Sequence, residues 1–319
     1  MQKQRSKKAG LPHLTPGQIA GKAVVYGFLI FIFIVTFFPF WQIFVLSIND
    51  AGDSLRGGLL LWPRQLNLSS YKAVFQNEEI LSSLGVTVAR TVIGVPLTVF
   101  CVAMLAYVLS KQELVHRRAI NFFFVFTMYF SGGLIPTYMV IKALGLIDNF
   151  FVFIFPGMIN IYWMILVRTY IEGLPKELFE AASSEGAGEF TIFLKVVLPL
   201  SMPVLATILL FSAISHWNAW YDSYIYTYKP QLKTLQAVLV KILNQYQTGA
   251  MVSQAQQMAN EAKKMPVSSE SIRMTVTMVA TLPIILVYPF LQKYFIKGML
   301  IGAVKAVSYT HLRAHETVL

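Results

Sequence analysis

The chain is short of the residues on which soluble and catalytic proteins depend. Only 13% of its 319 residues are charged, about half of the ~25% usual in soluble domains, while 56% are hydrophobic. That balance cannot cover a water-facing surface, and the mean hydropathy of +0.59 points to a chain that crosses a membrane several times. Cysteine is nearly absent. The single Cys101 lies in an apolar run, which excludes an intramolecular disulfide and is read as a small core residue. No G-x-x-x-x-G-K-[S/T] loop occurs, so the chain by itself is not an ATPase. No His/Cys cluster has metal-ligand spacing, and nothing in the sequence brings Ser131 and His216, the one imaginable hydrolytic pair, together. Acids are scarcer than bases, giving a net charge of +11 and a pI near 9.6. The bases are dispersed at the ends of apolar runs as membrane anchors, not gathered into a phosphate-binding stripe, so nucleic acid is not expected as a partner.

What the chain has is apolar sequence, and about 20 such residues cross a ~30 Å hydrocarbon core. Six stretches qualify: Ala23 to Ile48, Leu84 to Leu109, Ala119 to Ile141, Phe150 to Tyr170, Ser201 to Tyr224, and Ile272 to Phe295. The basic start, with Lys3, Arg5, Lys7 and Lys8, precedes a run too long for a signal peptide, which reads as a retained first span. Six crossings put both termini on one side. Lys and Arg are more numerous on that side, so both termini are expected in the cytoplasm of a cell-membrane protein. The chain divides into a cytoplasmic segment (1–22), a six-helix transmembrane domain (23–305) with a cytoplasmic loop at 171–200, and a tail (306–319) read as non-native because it is neither apolar nor periodic.

Two loops face the other side. Asn49 to Ser83 is polar and turn-rich, with Ser69 or Ser70 placed to cap a short helix from Tyr71 to Phe75. Thr227 to Ser271, rich in Gln, Ser and Lys, reads either as a flexible linker or as an outer lobe touching a substrate-delivering partner. Inside the membrane, breaking and polar residues are tolerated where they face protein or a wet cavity. Candidates for lining such a path are Tyr129, Ser131, Gly132, Gly133 and Pro136 in the third span, Pro156, Gly157 and Asn160 in the fourth, and His216, Trp217, Asn218, Tyr221 and Asp222 in the fifth. Trp217, Trp220, Tyr221 and Tyr224 recur at helical spacing as one aromatic face, either an interfacial belt or a surface whose rings, with Asn218, contact a passing sugar. Arg90 is an ionisable group inside the second span, read either as functional or as snorkelling to the surface.

The stretch Leu174 to Pro199, LPKELFEAASSEGAGEFTIFLKVVLP, carries the most specific pattern. Pro175 suits a first helical position, Glu177 and Glu180 suit the dipole of a first turn, and Ala181 and Ala182 give a smooth face. Gly186 and Gly188 are expected to end the helix at positive φ, and a second helix to run from Phe190 to Leu198 until Pro199 stops it. The spacing Glu180-Ala181-Ala182, three residues, Gly186, nine residues, then Val196-x-Leu198-Pro199 resembles the EAA loop of ABC importer permeases, with Val196 where that family usually has Ile.

Three further stretches resemble the carbohydrate-uptake, maltose-permease-like branch, including permeases of oligosaccharide and alginate-type polysaccharide importers. They are FSGGLIPTYMVIKALGLIDN from Phe130, HWNAWYDSYIY from His216 and KYFIKGMLIGAVK from Lys293, and the likeness covers roughly Thr15 to Lys305. The resemblance implies an all-α type I ABC importer permease fold with six transmembrane helices. It implies a coupling role for Glu180, Ala181, Ala182 and Gly186, with Leu198 and Pro199 shaping the loop. It further implies a second permease forming a heterodimer, a dimer of ATPase subunits that hold ATP-Mg, an extracytoplasmic solute-binding protein and a carbohydrate substrate, with no cofactor in this chain. The competing reading is a stand-alone gradient-driven transporter or channel, which would use intramembrane acids; Asp222 is the one acid within a span.

Overall fold

The computed structural model describes residues 16–54, 57–58, 61–252, 268, 270–287 and 289. Helix dominates throughout them, and the one strand-like pairing among the described residues is a bridge between Asn49 and Leu66. In lipid this is the expected outcome, because helices satisfy their own backbone groups where no water can.

The organising element is α4 (Glu78–Ser110), which begins six residues before the expected span because Asn77 caps it, its Oδ1 accepting from the N–H groups of Glu79 and Ile80. Its buried residues include Ser83, Thr87, Arg90, Gly94, Thr98, Val102, Ala106 and Leu109, a stripe at three- and four-residue spacing. Against that stripe pack α7 (Ile161–Glu172) and α11 (Met202–Asn218). Many stripe residues are small, as lipid-immersed interfaces require, since helices in hydrocarbon associate by close packing and not by escape from water. α1 (Pro16–Ile48) is the opposite case. Its most apolar stretch has mean hydropathy 2.5 and none of that stretch is buried, so it presents its whole circumference outward.

Among the described residues, three helices are individually long and apolar enough to span: α1, α4 and α14 (Glu270–Val287). The expected third span is not straight. α5 (Arg117–Tyr129) and α6 (Leu134–Ala143) meet at 115°, because the chain leaves helical geometry through Phe130 to Gly133. The expected fourth span begins as a 3-10 turn (Phe150–Phe153) and becomes regular only in α7, whose 12 residues are too few to cross alone. The expected fifth span stops at Asn218, and α12 (Tyr221–Tyr226) is a separate helix. With α5 and α6 counted as one bent span, α7 together with its 3-10 lead-in and α11 complete the six-span bundle of this fold. The sixth is described only to Val287 and Pro289; its end, the N-terminal segment 1–15 and the tail 306–319 lie outside the described residues.

The two polar loops, 49–83 and 227–271, hold helices among their described residues. Ala51–Ser54 forms the short α2, and α3 (Ser69–Gln76) is capped by neither serine; Asn67 Oδ1 instead accepts from the N–H and hydroxyl of Ser69. In the long loop a 3-10 turn (Pro230–Leu232) leads into α13 (Leu235–Val252), whose Leu235, Val238 and Leu239 pack with Val74 and Ile80 and with Val276 and Ala280 of α14. The first half of that loop is therefore a packed lobe and not a flexible linker; residues 253–267 lie outside the described residues.

Candidate coupling loop and pathway

Between α7 and α11 the chain makes an arm of two short helices. α8 (Glu177–Ser184) begins two residues after Pro175, which stands in the preceding turn. It ends in a Schellman motif: the Gly186 N–H donates to Ser183 O at 2.9 Å and the Ala187 N–H to Ala182 O at 3.0 Å. Gly186 has φ +82°, which only glycine adopts freely, and the space where its Cβ would go is empty to 4 Å. Conformation, not crowding within this chain, is what demands glycine there. Gly188 differs from expectation: it is extended (φ −70°, ψ 159°) and precedes α9 (Glu189–Ile192).

Pro199 does not stop the second helix. α9 continues through a π-helical turn (Phe193–Val197) into α10 (Leu198–Leu200), and the real break is an 82° bend at Ser201. Proline lacks an N–H and crowds the carbonyl four residues back; the wider turn, in which Leu198 N–H reaches back to Phe193 O, relieves that crowding. Of the motif residues, Glu180, Ala181, Gly186 and Pro199 are exposed, while Ala182 and Leu198 lean on a cluster of Ile192, Phe193 and Val197 with Val102, Ala103 and Ala106 of α4. The arm thus has an apolar underside and an outer face carrying Glu180 and Ala181. Its one charged tie to α4 is Glu189, whose Oε2 accepts from Tyr107 Oη at 2.5 Å and whose Oε1 accepts from Lys111 Nζ at 3.0 Å. These two bonds hold the Glu189 carboxyl below the usual carboxylate range, Tyr107 contributing most and Lys111 next. Tyr107 in turn stacks on Phe193, ring centroids 5.7 Å apart.

Further along α4, Arg90 is 3% exposed and does not snorkel. With α4 starting at Glu78 it lies about 18 Å into the helix, beyond the reach of its side chain to that end. It donates to both carboxylate oxygens of Asp222, at 2.6 and 3.1 Å, to Ala219 O at 3.3 Å and to Phe153 O at 3.4 Å, and lies 4.9 Å from the centre of the Phe153 ring. Ala219 sits in the gap between α11 and α12, so Arg90 both pairs with an acid and satisfies a carbonyl that the broken helix leaves open. One turn on, His216 is buried against Gly94, with Nε2 3.5 Å from Thr98 Oγ1.

The pathway candidates are not gathered into one face. Trp217 is half-buried, its indole N–H donating to Ala280 O at 2.9 Å and so tying α11 to α14. It lines an apolar cleft of about 180 Å³ with Leu210, Ile214 and Pro283. Trp220, Tyr221 and Tyr224 belong to α12 and its approach, so the helical spacing from Trp217 does not carry across the break. Those three rings form their own edge-to-face group and remain exposed. Asn218 is exposed, with Nδ2 donating to Ile214 O. Tyr129 and Ser131 are exposed at the α5–α6 break, apart in kind from buried His216.

Residues 68–301 match the family model described as binding-protein-dependent transport system inner membrane component. The chain belongs to this family. The permease is 36% identical over 284 residues to the polygalacturonan/rhamnogalacturonan transport system permease protein YtcP of Bacillus subtilis (strain 168), covering 88% of this chain and 97% of that protein. It is 36% identical over 271 residues to Protein LplC of the same organism, covering 85% and 90%. Among solved structures it resembles a bacterial ABC transporter involved in the import of the acidic polysaccharide alginate, with TM-score 0.79 and 29% identity over 89% of this chain and 100% of that one. The type I ABC permease fold that the resemblance implied is therefore the fold of this chain.

Sequence reasoning passed over Tyr107, Lys111 and Glu189 in the permease, and left Arg90 and Asp222 as separate observations. The pairs lie 82 and 132 positions apart in the chain, and nothing local marks them. One signal was available: an arginine and an aspartate each inside an apolar run have few ways to be stable except together.

Proposed function

We propose that the permease is the membrane subunit of an ATP-driven, binding-protein-dependent importer of an oligo- or polysaccharide. The observation that carries this reading is the arm from Glu177 to Leu200: a helix closed by Gly186 at positive φ, exposed on one face and packed on α4 by the other. That shape suits docking to an ATPase subunit, with Glu180, Ala181, Ala182 and Gly186 at the contact and Leu198 and Pro199 setting the second helix. ATP-Mg is held by a dimer of such partner subunits, and this chain supplies neither cofactor nor hydrolysis. A second, homologous permease completes the path in a heterodimer, and an extracytoplasmic solute-binding protein delivers the sugar. The arm and both termini face the cytoplasm. Acidic oligosaccharides are the first substrates to test, since one relative's name specifies polygalacturonan and rhamnogalacturonan and the structural relative carries alginate.

Of the pathway residues, Tyr129, Ser131, Asn218 and Tyr221 are exposed in this chain, whereas Trp217 spends its polar hydrogen on Ala280. A gradient-driven mechanism lacks its carrier: Asp222 is already neutralised by Arg90. The test is uptake of labelled oligogalacturonides into liposomes containing the full complex and binding protein. Uptake that requires ATP supports the proposal; uptake by this chain alone, without ATP, overturns it.

A further inference from the structure

The arm touches α4 in two ways, through apolar packing and through Glu189. The apolar contact is tight but non-directional. The ion pair is directional: one carboxylate bridges the phenol of Tyr107, 5% exposed, and the ammonium of Lys111, which also lies 4.9 Å over the Tyr107 ring. Glu189 itself is 69% exposed, so this pair adds little to stability and cannot be explained as a brace for the fold. Its position is what distinguishes it. It sits where the chain turns from the exposed face of the arm into the continuous helix Glu189–Leu200, and it grips the C-terminal end of α4. About 26 Å back along that helix, Arg90 grips Asp222 and Ala219, the gap between α11 and α12. α4 is a single helix between these two grips.

We infer that Glu189 is a positioning residue that makes α4 move with the arm, so that displacement at Glu180 and Gly186 reaches the break beside Tyr221 through α4. The inference rests on the coupling role proposed for the arm. Movement delivered through the 82° bend at Ser201 reaches α11, and the apolar packing of the arm on α4 sets no direction for α4. The Glu189 bridge adds a second, parallel connection, and Lys111 with Tyr107 fixes its direction.

The test uses the complete complex in liposomes and reads ATP hydrolysed per sugar imported. Glu189→Gln keeps the size of the side chain and an acceptor for Tyr107 but removes the charge facing Lys111. The ratio is expected to rise about threefold, the scale of an exposed ion pair, with melting temperature and co-purification of the partners unchanged. The charge exchange Glu189→Lys with Lys111→Glu is expected to bring the ratio back toward the starting value, a recovery that mere packing would not produce. A Glu189→Gln complex with the original ratio overturns the inference, as does loss of the ATPase from the complex or a charge exchange that restores nothing. If the unaltered complex hydrolyses ATP without regard to sugar, the coupling role itself falls and this inference falls with it.

Discussion

α4 is held by two charged grips of opposite kind. In its N-terminal half Arg90 is almost fully buried and makes bonds to a carboxylate and two carbonyls; at its C-terminal end Lys111 meets a carboxylate that is mostly in solvent. A buried charge is costly unless it is paired, so the Arg90 ion pair, whose guanidinium leaves only Nε without a hydrogen bond, decides which structure is stable. A solvated pair costs little to make or break, so the Glu189 grip is suited to directing a movement. The same two residue types, arginine or lysine with an acid, thus do structural work at one end and proposed mechanical work at the other, and burial is the difference.

The comparison breaks most sharply at the buried end. Asp222→Ala leaves the Arg90 guanidinium without its acid and is expected to cost about 3–5 kcal/mol, read as a lowered thermal midpoint in detergent, while Arg90→Met with Asp222→Leu recovers most of it. If Asp222→Ala melts normally, the grip is not structural. Next in size, Gly94→Ala places a methyl 2.7 Å from His216 Cε1 and is expected to cost about 1–3 kcal/mol by the same measurement, relieved when His216→Ala is added.

At the exposed end the expected effects move from stability to transport. Gly186→Val forces a β-branched residue to φ +82°, a local cost of about 1–2 kcal/mol that reshapes the arm, so ATP-driven uptake should be lost with little change in melting. Gly186→Asn, which tolerates that φ, should retain most uptake; if both variants transport equally, the turn is not what matters.

The smallest effect is a pH dependence. Asp148 accepts from the N–H groups of Tyr228 and Lys229, and those bonds hold its carboxyl below the usual range. A depressed folded value means that its stabilising contribution is present above the unfolded pKa of about 3.9 and is lost as pH falls through the folded one. Asp148→Asn should therefore flatten the acid end of the melting curve and leave neutral pH nearly unchanged. An unaltered acid limb would show that this loop contact is idle.

How much of this was legible in the chain differs residue by residue. The six apolar stretches and the EAA spacing are local patterns, and local patterns suffice to mark membrane segments and the arm. The break at Ser131 to Gly133 was half-visible in its glycines, whereas the one between α11 and α12 was hidden by the aromatic spacing, and a run of apolar residues looks the same whether the helix is straight or bent by 115°. Pro199 misled, because the expected stop presumes an α-turn before it and the chain uses a π-turn. The aromatic stripe misled for a related reason, since helical spacing has meaning only while one helix lasts.

Composition and apolar run length alone determined that this is an all-helical membrane chain, because hydrophobicity and backbone satisfaction act on short stretches; the arm's spacing carried the resemblance to ABC permeases. Only the tertiary structure decided that Arg90 is paired and not snorkelling, that Trp217 is tied to Ala280, and that Glu189 reaches Tyr107 and Lys111. Each of those facts depends on which distant segments meet across α4. Burial and partnership are properties of that meeting, and no stretch of sequence contains them.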